Sequence, residues 1–254
     1  MSPLENPSKV VKQKAPAFHP SFSLDSALFS PPRPDTSRVM FTPLHYEPNY
    51  AYPLVIWLHG PGNTDERQLL RIMPMISLRN YVAVAPRGFH CDGQEPNPTS
   101  YDWPQTAEHI EEAENRVFDC IEAAQRRWRM SDKRVFLAGF DVGGTMAFRV
   151  AMNHPRQFAG VVSLCGAFPT GQRPLVQLLE ARRLPVFLAV GRDSERYPPN
   201  LACEDLRLFH TGGISVTLRQ YPCGQQIAPQ MLRDIDRWVI DQVTNASEVS
   251  SVSR

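Results

Sequence analysis

The chain has 254 residues, of which 42% are hydrophobic and 21% charged, enough to bury the core of one compact domain. Its formal charge of +1 excludes a general attraction to nucleic acid or to acidic membranes. No apolar run approaches the ~20 residues of a membrane span, so no membrane-crossing helix is expected.

Residues 1–36 hold seven prolines among scattered apolar residues and are expected to form a poorly ordered extension. Alternating elements follow over 37–244, the expected folded domain. The pattern predicts strands at Val39–Tyr46 and Pro53–Leu58, a helix over Glu66–Leu78 interrupted by Pro74, and a strand at Tyr81–Ala85. A long helix is expected over Thr106–Arg129, where Ile110, Ala113, Val117, Ile121, Ala124 and Trp128 step by three and four and make one core-facing stripe. The basic cluster Arg126-Arg127-Trp128-Arg129 closes that helix, where cations suit its dipole. Strands are then expected at Arg134–Ala138, Gly160–Leu164, Val186–Val190 and Ile214–Tyr221, with helices at Thr145–Asn153, Pro174–Arg182, Asn200–His210 and Pro229–Val243. Residues 245–254 read as a flexible tail. Repeated βα units imply an α/β fold, a largely parallel sheet with helices on both faces.

Five cysteines, odd in number and without paired spacing, point to free thiols in a reducing compartment. Cys120 and Cys165 fall on core positions of a helix and a strand. With no apolar leader segment before a small-residue cleavage site, a cytoplasmic location is expected.

Gly139-Phe140-Asp141-Val142-Gly143-Gly144 stands between a buried-strand pattern and a helix pattern. Glycines at 139 and 143 suit a sharp strand-to-helix reversal in which a Cβ would obstruct the close approach of the two elements. Such an elbow normally presents a nucleophilic serine, and here its central residue is Asp141. The bland alternative is an ordinary βα turn with an N-capping aspartate.

Taken with Val55-Ile56-Trp57-Leu58-His59-Gly60, Val82-Ala83-Val84-Ala85-Pro86-Arg87-Gly88, Tyr101-Asp102-Trp103, Phe158–Leu164 and Tyr221-Pro222-Cys223-Gly224, the elbow resembles the α/β-hydrolase superfamily. Within it, the chain is similar to the small, lidless phospholipase/carboxylesterase branch that includes the acyl-protein thioesterases. The resemblance covers about residues 38–243 and implies an α/β-hydrolase fold without a large lid and a hydrolytic triad with no cofactor. A triad needs a hydroxyl, an imidazole to take its proton and a carboxylate to orient the imidazole. The matching positions hold Asp141, Gln225 and Ser194, with Asp193 able to replace Ser194 only if its loop shifts register. The oxyanion hole implied by the resemblance would draw on the amide of Val142 and of residue 61, which is Pro61 and has no N–H.

Other chemistries carry less weight. Dehalogenases and epoxide hydrolases of the superfamily use an elbow aspartate, yet they need a histidine to activate water, and only His154 and His210 follow the elbow. His59 reads as a structural hydrogen-bonding residue. His90, Cys91 and Asp92 are too closely spaced for usual metal presentation, so no metal is expected. Cys223 lacks a neighbouring cation that would activate its thiol. The residues favour an impaired hydrolase whose cleft, with Asp141, Gln225 and Trp103 as ligand-binding candidates, takes a small molecule or a protein partner. A weak esterase using unconventional residues and a decayed paralogue remain open beside it.

Overall fold

The computed structural model describes residues 38–62, 65–91 and 100–252, with side chains of the last helix described through residue 245. The expected extension at 1–36 lies outside the described residues.

Strand β1 (Arg38–Phe41) ends before Thr42-Pro43, because proline has no N–H for a ladder, and so stops short of the expected Tyr46. Next come β2 (Tyr52–Leu58), α1 (Gln68–Ile76) and β3 (Val82–Pro86). Pro74 sits inside α1 without interrupting it. The carbonyl it leaves unbonded belongs to Leu70, on the exposed face where water can reach. Two short strands that the pattern did not predict, β4 (Phe89–His90) and β5 (Tyr101–Asp102), pair antiparallel in a small sheet of their own.

Helix α2 (Ala107–Arg127) starts where the Thr106 side chain accepts the His109 N–H. Strand β6 (Met130–Phe140) then leads into α3 (Val142–Asn153), followed by β7 (Gly160–Leu164). Helix α4 (Leu178–Ala181) is only the end of the helix expected from Pro174. Residues 174–177 form turns instead, and Gln177, at φ −102° and ψ 40°, stands off helical backbone. The remaining elements are β8 (Val186–Gly191), α5 (Pro199–Gly212), β9 (Val216–Tyr221) and α6 (Pro229–Val252). Helix α6 runs through most of the expected tail, since neither Gly nor Pro stands between Val243 and Val252 to stop it.

The seven-stranded sheet has the order β1-β3-β2-β6-β7-β8-β9. Only β1 runs against its neighbour; every other pairing is parallel. All of β2 is buried, which explains its unbroken apolar run. Its side chains alternate: Leu54, Ile56 and Leu58 join a core with α2, α3 and α5, while Val55 and Trp57 join a second core with α1 and α6. Trp238 of α6 closes the second core against Phe136 and Phe187, with ring centroids 6.1 and 5.7 Å away. Along β2 neither face is left for solvent, so both helix layers are required there.

Helix α3 crosses β2 and β6 at unusually short range. A Cβ on Gly143 would collide with the backbone carbonyls of Leu58 and His59, and one on Gly139 with the backbone of Gly143. Backbone atoms cannot rotate away, so Gly143→Ala should cost at least about 3 kcal/mol, the upper end of ordinary overpacking. Gly171→Ala, whose Cβ meets open space but whose φ is +69°, should cost only about 1 kcal/mol in the same urea titration. Equal losses for the two variants would contradict the close approach at the elbow.

Candidate active site

The carboxyl ends of β6, β8 and β9 bring together the three positions singled out in the sequence. Asp141 sits between β6 and α3 at φ 54° and ψ −120°, a conformation few non-glycine residues adopt. Its N–H donates to Leu164 O at 2.8 Å and its carbonyl accepts from Thr145 N–H at 3.0 Å, so the turn is pinned to β7 and to its own helix. The residue is 7% exposed.

Ser194 lies in the loop after β8, and its hydroxyl donates to Gln225 Oε1 while accepting the Tyr197 N–H at 3.0 Å. Gln225, in the turn after β9, donates from Nε2 to Cys165 O at 2.8 Å, and its side chain lies beside the Asp141 carboxyl, where it favours the charged form. A chain of contacts therefore runs Ser194, Gln225, Asp141. The register of the loop is settled by Asp193 N–H donating to Cys223 O at 3.0 Å. The Asp193 side chain points outward to Arg192 at 3.0 Å, so it does not replace Ser194.

Among the described residues Asp141 has one charged partner, Arg196, whose Nη1 is 3.1 Å from Oδ2. Burial pushes the Asp141 carboxyl above its ordinary value, opposed by Gln225, by Arg196 and by the Val142 N–H. That last group is the oxyanion donor the resemblance leaves, and it faces a carboxylate already in place. Pro61 supplies no second amide hydrogen.

No histidine described takes up the work of a base here. His59 is fully buried; Gly88 N–H donates to its Nε2 at 2.9 Å, which leaves the proton on Nδ1, 2.6 Å from Gly60 O. Burial holds His59 below its ordinary value, so it is a neutral structural imidazole. His154 pairs with Glu114 at 3.1 Å at the far end of α3, and His210 lies in the last turn of α5. Burial raises the thiols of Cys165, to about 11, and of Cys223, so neither is a thiolate near neutrality. Among the described residues no group of three His, Cys, Asp or Glu could hold a metal, and Asp92 lies outside them.

Trp103, expected to contact a ligand, is instead 1% exposed in the core. Its indole N–H donates to His59 O at 3.0 Å, which fixes the strand end before Pro61. An indole needs a partner for its N–H when buried, and the backbone of the oxyanion segment provides it.

A family model described as phospholipase/carboxylesterase matches residues 47–241. The chain belongs to that family. A probable carboxylesterase of Oryza sativa subsp. japonica is 22% identical over 227 residues, covering 78% of this chain and 92% of the relative. Two solved structures share the fold: acyl-protein thioesterase 2 of Zea mays (TM-score 0.62, 16% identity, 81% of this chain and 98% of the other) and a Bacillus cereus carboxylesterase (TM-score 0.62, 16% identity, 81% and 93%).

In this phospholipase/carboxylesterase family member, several site residues escape a sequence reading. Arg196 is one of two arginines in the Gly191–Pro198 loop; the only hint was that a buried elbow carboxylate needs a counter-charge. Tyr197 donates its hydroxyl to Asp205 Oδ2 at 2.6 Å, and the same oxygen accepts Phe168 N–H at 2.8 Å, which clamps the loop bearing Ser194 onto α5 and onto the segment after β7. Arg149 is buried in α3 and gives its guanidinium to Gln105 Oε1, Gly171 O and Thr170 O, at 2.9, 2.6 and 2.6 Å. Nothing in Ala-Phe-Arg-Val marks that residue as inward-facing.

The raised carboxyl of Asp141 carries a pH signature. The folded chain holds this proton more tightly than the unfolded one, whose carboxyl titrates near 3.8. Below that value both states are protonated; as pH rises through it and then through the raised folded value, stability falls. Asp141→Asn should therefore raise the thermal midpoint at about pH 7, with the gain gone by about pH 3. A lower midpoint for the variant at neutral pH would mean that the Arg196 pair outweighs burial.

Proposed function

We propose that this family member is a pseudo-hydrolase, catalytically impaired, which uses the elbow cleft to bind a ligand or a partner. The observation that carries the proposal is the contact chain Ser194, Gln225, Asp141, Arg196, in which every polar group meets a partner and none is a base able to activate a nucleophile. An ester needs a hydroxyl or thiolate to attack it; Asp141 offers a carboxylate already engaged by Gln225 and Arg196. A tetrahedral oxyanion forming beside that carboxylate would meet repulsion, with Pro61 lacking one N–H and Val142 facing the carboxylate. A buried carboxylate at a helix N-terminus suits a cationic or hydrogen-bond-donating group that competes with the half-exposed Arg196. Free thiols at all five cysteines support the cytoplasm as its compartment.

A second reading, a weak carboxylic-ester hydrolase, is favoured by the rice relative described as a probable carboxylesterase and by a putative esterase of Nocardia uniformis subsp. tsuyamanensis, 28% identical over 141 residues covering 39% of that protein. Activity separates the two. Turnover of short p-nitrophenyl esters and thioesters should stay below about 1 s⁻¹, a modest value for a working enzyme, and faster turnover would establish the second reading. Asp141→Ser alone should remain inert for want of a base. Asp141→Ser, Ser194→Asp and Gln225→His together, with Pro61→Gly to restore an N–H, should raise turnover by at least about 10²-fold over any single change, since triad members act as a unit. Robust hydrolysis by Asp141→Ser alone would reveal a base elsewhere and refute the assignment of Gln225.

A further inference from the structure

At the opposite end of the sheet from Asp141, where β2 and β3 begin, a cavity of about 400 Å³ opens between the turn before β2, the turn before β3 and helix α6. From this cavity we infer a second binding site, separate from the elbow, that takes a small zwitterion: a free α-amino acid with an aromatic side chain.

The walls are held in place before any ligand arrives. Tyr52 accepts the Glu47 N–H on its hydroxyl at 3.1 Å and stands edge-on to Tyr50, with ring centroids 4.7 Å apart. Tyr46 stacks on Tyr52 from behind at 5.2 Å. Tyr81 donates to Asp236 Oδ1 at 2.7 Å and Asn80 donates to the same oxygen at 3.2 Å, which fixes the turn before β3 to α6. The polar tips of Tyr46, Tyr52, Tyr81 and Asn80 are thus already engaged within the protein. Two exposed charges of opposite sign on its wall have no protein partner among the described residues. The Arg79 guanidinium and the Glu47 carboxylate both line it, and neither forms an ion pair, with the other or with any described residue. Asp236, the other acid packed against this turn, is occupied by Asn80 and Tyr81.

Charges of both signs decide the ligand class. A simple anion drawn to Arg79 would face Glu47, and a simple cation drawn to Glu47 would face Arg79. A carboxylate and an ammonium on one small molecule satisfy both, each by a charge-assisted contact. Tyr50, which is 46% exposed, and the aliphatic Ile240 and Val243 add a ring-sized apolar surface to the same lining. The volume is at the small end of ligand cavities, which suits an amino acid rather than a cofactor.

Calorimetric titration of the full chain with L-phenylalanine tests this directly, with N-acetyl-L-phenylalanine and L-phenylalaninamide as analogues lacking one charge each. We expect the free amino acid to bind with a Kd of about 1 mM or tighter, and each analogue to bind at least about tenfold more weakly. Arg79→Ala should weaken L-phenylalanine by about tenfold without further weakening the amide, and Glu47→Gln should do the same relative to the N-acetyl compound. Both residues are exposed, so the variants are expected to fold, which an unchanged thermal midpoint verifies. No heat of binding up to about 10 mM would overturn the inference, as would analogues that bind as well as the free amino acid, or charge variants that leave its affinity unaltered.

Discussion

A carboxylate that is 7% exposed, at a turn whose backbone is already strained, must be offset by fixed partners, and the carboxyl edge of this sheet is arranged around that requirement at Asp141. Gln225 reaches it from the turn after β9, Arg196 from the loop after β8, and the amide of Val142 from the start of α3. Two segments distant in sequence converge on a side chain whose own helix supplies the third contact. The position of the elbow itself depends on the close approach of α3 to β2 and β6, which Gly143 and Gly139 permit.

The partners that make a buried carboxylate tolerable are also those that leave the site without reactivity. Gln225 has no lone pair on nitrogen to accept a proton, and its carbonyl oxygen is taken by Ser194. Arg196, a guanidinium donor with no acceptor lone pair, cannot act as a general base. A polar network with each member satisfied resists rearrangement, because breaking one contact exposes a buried group without compensation. The supporting shell has the same character. Asp205 holds the Ser194 loop through Tyr197, and Arg149 holds the segment after β7 through carbonyls alone.

Much of the scaffold was legible because it follows from periodicity and punctuation. The unbroken apolar run of β2 announced a strand covered on both faces, and the three-and-four spacing in α2 announced its buried stripe, with Ile110, Ala113, Val117 and Ala124 all in the core. Misreadings arose where local signals were overruled. Pro74 is accommodated within α1 because the carbonyl it orphans faces water, and the helix expected from Pro174 forms only from Leu178, since Gln177 at φ −102° and ψ 40° leaves helical backbone. Trp103 looked like a cleft residue from its neighbours in sequence, but its indole is turned inward to His59 O.

The sequence by itself determined the order of the elements, the buried parallel sheet, the elbow and the identity of the residues on it, since these depend on side-chain period, on glycine at two close approaches and on the absence of a proton from a proline nitrogen. The tertiary structure alone decided which groups meet. That Arg196 rather than Arg192 neutralises Asp141, that Asp193 turns away while Ser194 faces Gln225, and that Glu47 and Arg79 line one cavity without touching are consequences of how separate loops are set by backbone contacts across the sheet. Such contacts join residues far apart in the chain, and no local pattern encodes which of two neighbouring side chains will point inward.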